Sequence, residues 1–90
     1  MQEIKLAQIA QALGVPFSGE GAVTEVVTDS RLCGPGKLFV ALVGDRADGN
    51  DFAPSALERG AEAAVATRLA PGVDPARVML VPDGRLAMIA

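Results

Sequence analysis

The stretch that decides the fold is LFVALV, residues 38–43, which contains no polar residue. A strand with one face in water alternates apolar and polar residues, so an unbroken apolar run predicts a strand buried on both faces. Such a strand needs a layer of packed structure on each side of its sheet. The run therefore predicts a small three-layer α/β domain with Leu38–Val43 as a central strand.

The segments after this run complete a strand–helix–strand unit. Gly44–Asn50 is a polar loop, Asp51 is the expected cap of the next helix, and Pro54 is tolerated only in that helix's first turn. Gly60 ends the helix, and Ala63–Thr67 follows as a strand of small residues. A unit of this kind predicts parallel pairing within a mixed sheet.

The segments before the run add a helix and one or two strands. Glu3–Leu13 carries apolar residues at helical spacing, and Gly14 is a suitable C-terminal stop. Phe17 begins a short segment that could be a strand. The β-branched residues of Ala22–Thr28 predict a second strand. Beyond the central unit, Val78–Val81 predicts one more strand.

The end of the sequence predicts a last helix with Asp83 as its cap. Leu86, Ile89 and Ala90 share one face of this helix, and the apolar pattern is still running where the sequence stops. We expect the chain to continue in a longer protein, with a short C-terminal helix as the alternative. The apolar face could also pair with a second copy of the chain.

Composition excludes several classes of function. The chain has 90 residues, enough for one domain, and its net charge of −3 gives no footprint for nucleic acid. One cysteine and no histidine exclude an intrachain disulfide and Ser-His-Asp or Cys-His catalysis, and they argue against structural zinc. No apolar run reaches the roughly 18–20 residues of a membrane span, and Met1–Glu3 lacks the basic start of a signal peptide. A cytoplasmic protein is expected.

Two polar segments follow predicted strands, where open α/β sheets bind ligands. In TDSR, residues 28–31, Ser30 could bond a base edge or a phosphate and Arg31 could pair with a phosphate. An Asx-type turn that satisfies backbone amides is the alternative interpretation. In GDRADG, residues 44–49, loop amides could contact a ligand, or the loop could simply be solvated. The lone Cys33 has no histidine to activate it, so we expect an inert thiol, with a redox role as a weaker hypothesis.

The order and spacing of several motifs resemble the N-terminal domain of the Mur ligases of peptidoglycan synthesis. Members carry T-D-S-R, P-G-x-L-F-V-A-L-x-G, D-G-x-x-F and G-A-x-A-x-V in this order. The corresponding segments are TDSR at 28–31, PGKLFVALVG at 35–44, DGNDF at 48–52 and GAEAAV at 60–65. The resemblance covers nearly the whole chain and is weakest in Met1–Gly21 and Leu69–Arg77.

The resemblance implies a fold of the Mur ligase N-terminal, substrate-binding type over residues 1–90. Ile4–Leu13 and Val81–Ala87 look most like the ligase that adds D-alanyl-D-alanine to UDP-N-acetylmuramoyl-tripeptide. Val43–Gly49 is also close to the ligase that adds the third residue, diaminopimelate or lysine. A stand-alone, non-catalytic interaction module is a further alternative.

The resemblance also implies the binding residues. Ser30 and Arg31 would contact the UDP-muramoyl moiety, and Asp45, Arg46 and Ala47 would lie against the uracil.

Some positions depart from the family pattern or take a structural role. Asp29 would shape the turn rather than bind. Asn50 stands where histidine is common, and its amide can still bond locally. Ala47 stands where many D-alanyl-D-alanine-adding members carry phenylalanine, and Cys33-Gly34 replaces a more polar pair.

The family's reaction is ATP-dependent amide formation through an acyl phosphate. It requires a P-loop, Mg²⁺ carboxylates, a carbamylated lysine and a C-terminal domain, and none of these is in the 90 residues. The resemblance therefore implies no catalytic residue, metal or cofactor in this chain, with ATP and Mg²⁺ bound elsewhere in the full-length ligase. The expected partners are a UDP-N-acetylmuramoyl-peptide and the remaining ligase domains, and the chain alone should be inactive.

Overall fold

The fold is built around a four-stranded parallel sheet. The structure is a computed structural model that describes residues 3–17, 19–42 and 48–82. Short 3₁₀ turns at Ser30–Leu32, Gly49–Phe52 and Pro75–Arg77 connect the larger elements. In chain order these elements are β1 (Ile4–Lys5), α1 (Leu6–Leu13), β2 (Ala22–Val23), β3 (Glu25–Val27), β4 (Lys37–Val40), α2 (Ala53–Glu58), β5 (Ala63–Ala66) and β6 (Val78–Leu80).

The order of strands across the sheet is the same as their order in the chain, β3-β4-β5-β6, and every pair is parallel. Crossovers between parallel strands are right-handed, so a sequential order places all the connections on one face. The opposite face must then be covered by a segment from outside the sheet. Here α1, which precedes the first strand of the sheet, provides that cover.

Two hydrophobic clusters on either side of β4 confirm the three-layer prediction. Side chains alternate along a strand, so Phe39 points to one cluster and Leu38 to the other. Both residues are only 1% exposed. The first cluster contains Phe39, Ala41, Ala53, Ala56, Ala61, Ala64, Ala66 and Val78. The second contains Leu6, Ala10, Leu13, Val23, Leu38, Val40, Ala63, Val65, Met79 and Val81.

A separate two-stranded antiparallel sheet pairs β1 with β2, with Ile4 opposite Val23. The chain thus combines parallel and antiparallel pairing, as predicted, although in two sheets. The predicted strand Ala22–Thr28 is divided at Thr24, whose amide donates to Gly36 O at 2.8 Å. The predicted first helix starts at Leu6 rather than Glu3, because Ile4–Lys5 is the missed strand β1.

The helix ends follow the sequence with one correction. Gly14 adopts φ 73° at the end of α1, and Pro54 lies in the first turn of α2, both as predicted. The prediction that Asp51 caps α2 is wrong. The 3₁₀ turn Gly49–Phe52 precedes that helix, and Asp48 caps this turn.

Other predictions lie partly or wholly outside the described residues. The possible strand that begins at Phe17 is not observed, because Phe17 and residues 19–21 are not in a strand. The helix predicted from Asp83, with its possible dimer face, lies outside the described residues. Across 3–17, 19–42 and 48–82, no helix is long and apolar enough to cross a membrane.

Candidate functional site

The carboxyl edge of the parallel sheet brings the two predicted binding segments to neighbouring strands. Asp29–Leu32 follows β3, and the segment from Leu42 to Gly49 follows β4. Because β3 and β4 pair in parallel, with Val27 opposite Phe39, both segments emerge at the same edge. This edge is where open α/β sheets bind ligands.

Asp29 shapes the turn after β3, as the sequence predicts. Its Oδ1 accepts hydrogen bonds from Arg31 N at 2.9 Å and Arg31 Nε at 3.1 Å, and its Oδ2 accepts from Arg31 Nη2 at 2.9 Å. These bonds to the Arg31 guanidinium hold the pKa of the Asp29 carboxyl below its usual value. The Arg31 side chain is nevertheless 82% exposed, which leaves its remaining N–H donors available to a ligand.

Ser30 and Arg31 line a surface cavity of about 420 Å³ together with Thr28, Asp29 and Phe52. That volume is within the roughly 300–1,000 Å³ typical of small-molecule sites. Phe52 lies at the end of the 3₁₀ turn before α2 and is 46% exposed. The signal that could have found it is its place as the last residue of the D-G-x-x-F motif.

Of the second predicted segment, residues 44–49, the structure describes only Asp48 and Gly49. Asp45, Arg46 and Ala47 lie outside the described residues, so their contact with uracil stays a prediction. At the base of the loop, Gly49 N donates to Leu42 O at 2.8 Å. A Cβ on Gly49 would lie 2.7 Å from Leu42 N, so this close approach requires glycine. Leu42 and Gly49 are therefore in direct contact just beyond the end of β4.

A buried amide holds this base to the next strand. Asn50 is 1% exposed, and its Nδ2 donates to Asp48 Oδ1 at 2.8 Å and to Thr67 Oγ1 at 2.9 Å. Its Oδ1 accepts from Thr67 N at 3.0 Å. The expectation that asparagine at this position bonds locally is confirmed, and the loop after β4 is fixed to the residue that follows β5.

Arg68 forms ion pairs with two aspartates in the turn that follows the loop after β4. Its Nη2 lies 2.8 Å from Asp48 Oδ2 and 2.7 Å from Asp51 Oδ1. Hydrogen bonding by the guanidinium holds the pKa of the Asp48 carboxyl below its usual value. Asp48 therefore caps the 3₁₀ turn, accepts from Asn50 and pairs with Arg68. Sequence reasoning missed Thr67 and Arg68, because their partners are 17–20 residues away in the chain.

Cys33 is half-buried behind this edge, with Sγ 4.0 Å from Asp29 O. Burial raises the pKa of its thiol, which lowers the thiolate fraction at neutral pH. A raised pKa gives no support to the redox hypothesis for Cys33, and its inertness stays a prediction. Among the described residues, no group of three or more His, Cys, Asp or Glu could hold a metal ion.

Comparisons with known proteins agree on one family. A family model described as "Mur ligase family, catalytic domain" matches residues 22–90. The UDP-N-acetylmuramoyl-tripeptide–D-alanyl-D-alanine ligase of Mycobacterium tuberculosis is 45% identical over 76 residues, which is 76% of this chain and 15% of that protein. The UDP-N-acetylmuramoyl-L-alanyl-D-glutamate–2,6-diaminopimelate ligase of Solibacter usitatus is 46% identical over 76 residues, which is 81% of this chain and 15% of that protein.

Solved structures give the same result. A MurF from Acinetobacter baumannii matches 98% of this chain and 20% of its own, with TM-score 0.79 and 26% identity. A MurF ligase from Thermotoga maritima, solved in complex with ADP, is 39% identical, with TM-score 0.59 over 66% of this chain and 13% of its own. The chain spans about 15% of the length of the curated relatives it matches.

The fold type expected from the resemblance is confirmed by the matched residues and by the A. baumannii structure. The two kinds of relative, with almost equal identities, do not distinguish the two ligases weighed above. The chain belongs to the Mur ligase family.

Proposed function

We propose that residues 1–90 form the domain that recognises the UDP-N-acetylmuramoyl-peptide in a peptidoglycan-precursor ligase. The observation that carries the proposal is the cavity at the carboxyl edge, where Ser30 and Arg31 lie beside an exposed aromatic ring. The Ser30 hydroxyl can bond a base edge or a phosphate, and the Arg31 guanidinium can pair with the pyrophosphate. Membership of the Mur ligase family supports a UDP-N-acetylmuramoyl-peptide, which has both parts, as the ligand.

The loop after β4 is proposed to hold the uracil through Asp45, Arg46 and Ala47. Its described base supports this role, because Asp48 and Asn50 hold the end of the loop beside the cavity-lining Phe52. A loop anchored at both ends loses less freedom when it closes on a ligand.

ATP and Mg²⁺ are assigned to other parts of the longer ligase. The sequence contains no Gly-x-x-x-x-Gly-Lys-Ser/Thr. The described residues offer no cluster of three metal-binding side chains. No catalytic residue is assigned to this chain, and its proposed role is to bind and orient the substrate in the cytoplasm.

The ligase that adds D-alanyl-D-alanine to the tripeptide is our first choice. The A. baumannii MurF, which matches 98% of the chain, supports it. The diaminopimelate-adding relative from S. usitatus supports the third-residue ligase as the alternative. Amide formation by the longer ligase, supplied in turn with D-alanyl-D-alanine, diaminopimelate and lysine, distinguishes the two.

The test of binding is an amide-shift NMR titration with UMP and with UDP-N-acetylmuramoyl-tripeptide. We expect a dissociation constant on the order of 0.1–1 mM or weaker, because one domain supplies only part of the pyrophosphate contact. Shifts should concentrate in residues 28–31 and 44–48. Arg46→Ala should weaken binding, whereas Lys5→Ala, which removes the same charge from the small antiparallel sheet, should not.

A flat titration of both the chain and the longer ligase would contradict the proposal. It would favour the alternative of an interaction module that keeps the fold and lacks nucleotide binding. Unchanged affinity in Arg46→Ala, with binding intact, would remove only the role of Arg46.

A further inference from the structure

Phe52 is the one phenylalanine of the described residues that the hydrophobic core does not take up. The chain has three phenylalanines and no tyrosine or tryptophan. Phe39 is 1% exposed at the centre of the sheet, and Phe17 packs against the cluster under α1. The Phe52 side chain is 46% exposed, although Ala53 beside it is 1% exposed. Phe52 is also among the residues that line the cavity of about 420 Å³, so an aromatic side chain lies where a ligand could contact it.

The backbone around Phe52 is fixed by its neighbours rather than by its own ring. The 3₁₀ turn Gly49–Phe52 is capped by Asp48, and Asn50 is tied to Thr67 by two hydrogen bonds. Asp51, directly before Phe52, pairs with Arg68 at 2.7 Å. The backbone that carries the ring is therefore held in place before a ligand binds, which reduces the entropy lost on binding.

The residues that line the cavity include one aromatic side chain and several polar or charged ones. Phe52 supplies an aromatic face, while Thr28 and Ser30 supply hydroxyls and Arg31 supplies a guanidinium. The Asp29 carboxylate accepts from Nε and Nη2 of Arg31, and no described residue accepts from Nη1. A nucleotide has the matching groups, a planar base at one end and a phosphate at the other.

We propose that Phe52 is the surface on which the pyrimidine base of a uridine nucleotide stacks. The inference rests on the proposed function and adds to it a residue that contacts the base. Aromatic side chains stack on any base with little directional demand, so Phe52 supplies affinity for a planar ring. Hydrogen bonds to the base edge then select among bases.

The experiment compares two ligands that differ by the base alone, UMP and ribose 5-phosphate. Each is titrated into the 90-residue chain and followed by amide shifts. Phe52→Leu, which keeps an apolar side chain and removes the aromatic face, should weaken UMP binding about threefold or more, and Phe52→Ala about tenfold. Phe52→Tyr should retain the affinity. None of these variants should change the binding of ribose 5-phosphate.

The matched control is Phe17→Leu, the same substitution on the ring that borders a separate cavity with Pro16, Pro75 and Ala76. It should leave UMP affinity unchanged. With only three phenylalanines, Overhauser contacts between uracil protons and aromatic protons in the unmodified chain can be assigned to one ring. We expect these contacts to come from Phe52, and this readout needs no variant to fold.

The outcomes separate this inference from the proposed function. If UMP binds at residues 28–31 but Phe52→Leu loses nothing and no contact to the Phe52 ring is seen, base stacking is overturned while the nucleotide site stands. Equal losses for UMP and ribose 5-phosphate would also overturn it, because they would show damage to the cavity. If neither the chain nor the longer ligase binds UMP, the proposed function fails first and takes this inference with it.

Discussion

At the scale of single residues, aspartate has the same local role three times. Asp29, Asp48 and Asp74 each precede a 3₁₀ turn and accept a hydrogen bond from the amide two residues ahead. A short carboxylate competes well for such amides, which is why an Asx-type turn was the alternative interpretation of residues 28–31. That interpretation and the ligand interpretation proved compatible, because Asp29 makes the turn and Ser30 and Arg31 line the cavity.

Replacing the arginine partner of either aspartate at the carboxyl edge should change the pKa of that aspartate alone. Arg31 lowers the pKa of Asp29, and Arg68 lowers the pKa of Asp48. Arg31→Gln should therefore raise the pKa of Asp29 toward the ordinary value of an aspartate and leave that of Asp48 unchanged, and Arg68→Gln should do the reverse. Carbon-13 titration of the carboxyl groups measures both, and each variant is the control for the other.

The sign of the pH dependence follows from the same shifts. A carboxyl whose pKa is lower in the folded than in the unfolded chain stabilises the fold above its unfolded pKa. That contribution is lost as the pH falls through the lowered, folded value, so both pairs should weaken only in acid. A pKa of Asp29 that did not rise in Arg31→Gln would show that the ion pair does not form in solution.

At the scale of elements, the sequence predicted well wherever the signal was local. The apolar run at 38–43 placed β4 inside the sheet, although the strand ends at Val40, earlier than predicted. Gly14 and Pro54 placed one end of each helix. The strand β1 was missed because two residues carry no periodicity and their partners in β2 are about 18 residues away. The same long-range pairing places the first part of Ala22–Thr28 in the small sheet and the next part in the parallel sheet. No local sequence pattern marks this division.

The connection between the loop after β4 and the end of β5 predicts a large cost for removing one amide. Asn50→Ala leaves Thr67 N and Thr67 Oγ1 without their Asn50 partners at a site that is nearly closed to water. We expect the free energy of unfolding to fall by about 2 kcal/mol, measured by urea denaturation. Asp74→Ala, which removes an exposed cap from the turn before β6, should cost about 1 kcal/mol or less. Equal costs would show that the buried amide has no special role.

At the scale of the whole molecule, the sequential strand order leaves one face of the sheet dependent on α1. The crossover segments cover the other face, as the cluster that includes Ala53 and Ala56 shows. The sequence predicted three layers from the apolar run alone, but it did not indicate which helix covers which face. That assignment follows from strand order, and strand order is set by contacts across the sheet rather than by any one segment.

The dependence on α1 predicts that one leucine affects the stability of the entire domain. Leu6 is 0% exposed and packs in the cluster with Leu38, Val40 and Met79. Leu6→Ala should lower the free energy of unfolding by about 2–5 kcal/mol. This is a large share of the total of roughly 5–13 kcal/mol that is typical of a domain of this size. The melting temperature should fall by about 10 °C or more, whereas Gln11→Ala on the exposed side of α1 should change stability by less than about 0.5 kcal/mol.

Thermal unfolding offers a second check of whether the whole domain depends on α1. It is followed by far-ultraviolet circular dichroism and by the ring signals of Phe39. Phe39 lies on the face away from α1, in the cluster with α2. If both layers depend on one sheet, the two probes should report a single coincident transition in the unmodified chain and in Leu6→Ala. An early loss of helix signal, with the Phe39 environment intact, would mean that the sheet and α2 are stable without α1. The marginal stability expected of a domain that buries only about 60–65% of its surface favours the coincident outcome, because the sheet has little stability to spare once one face is exposed.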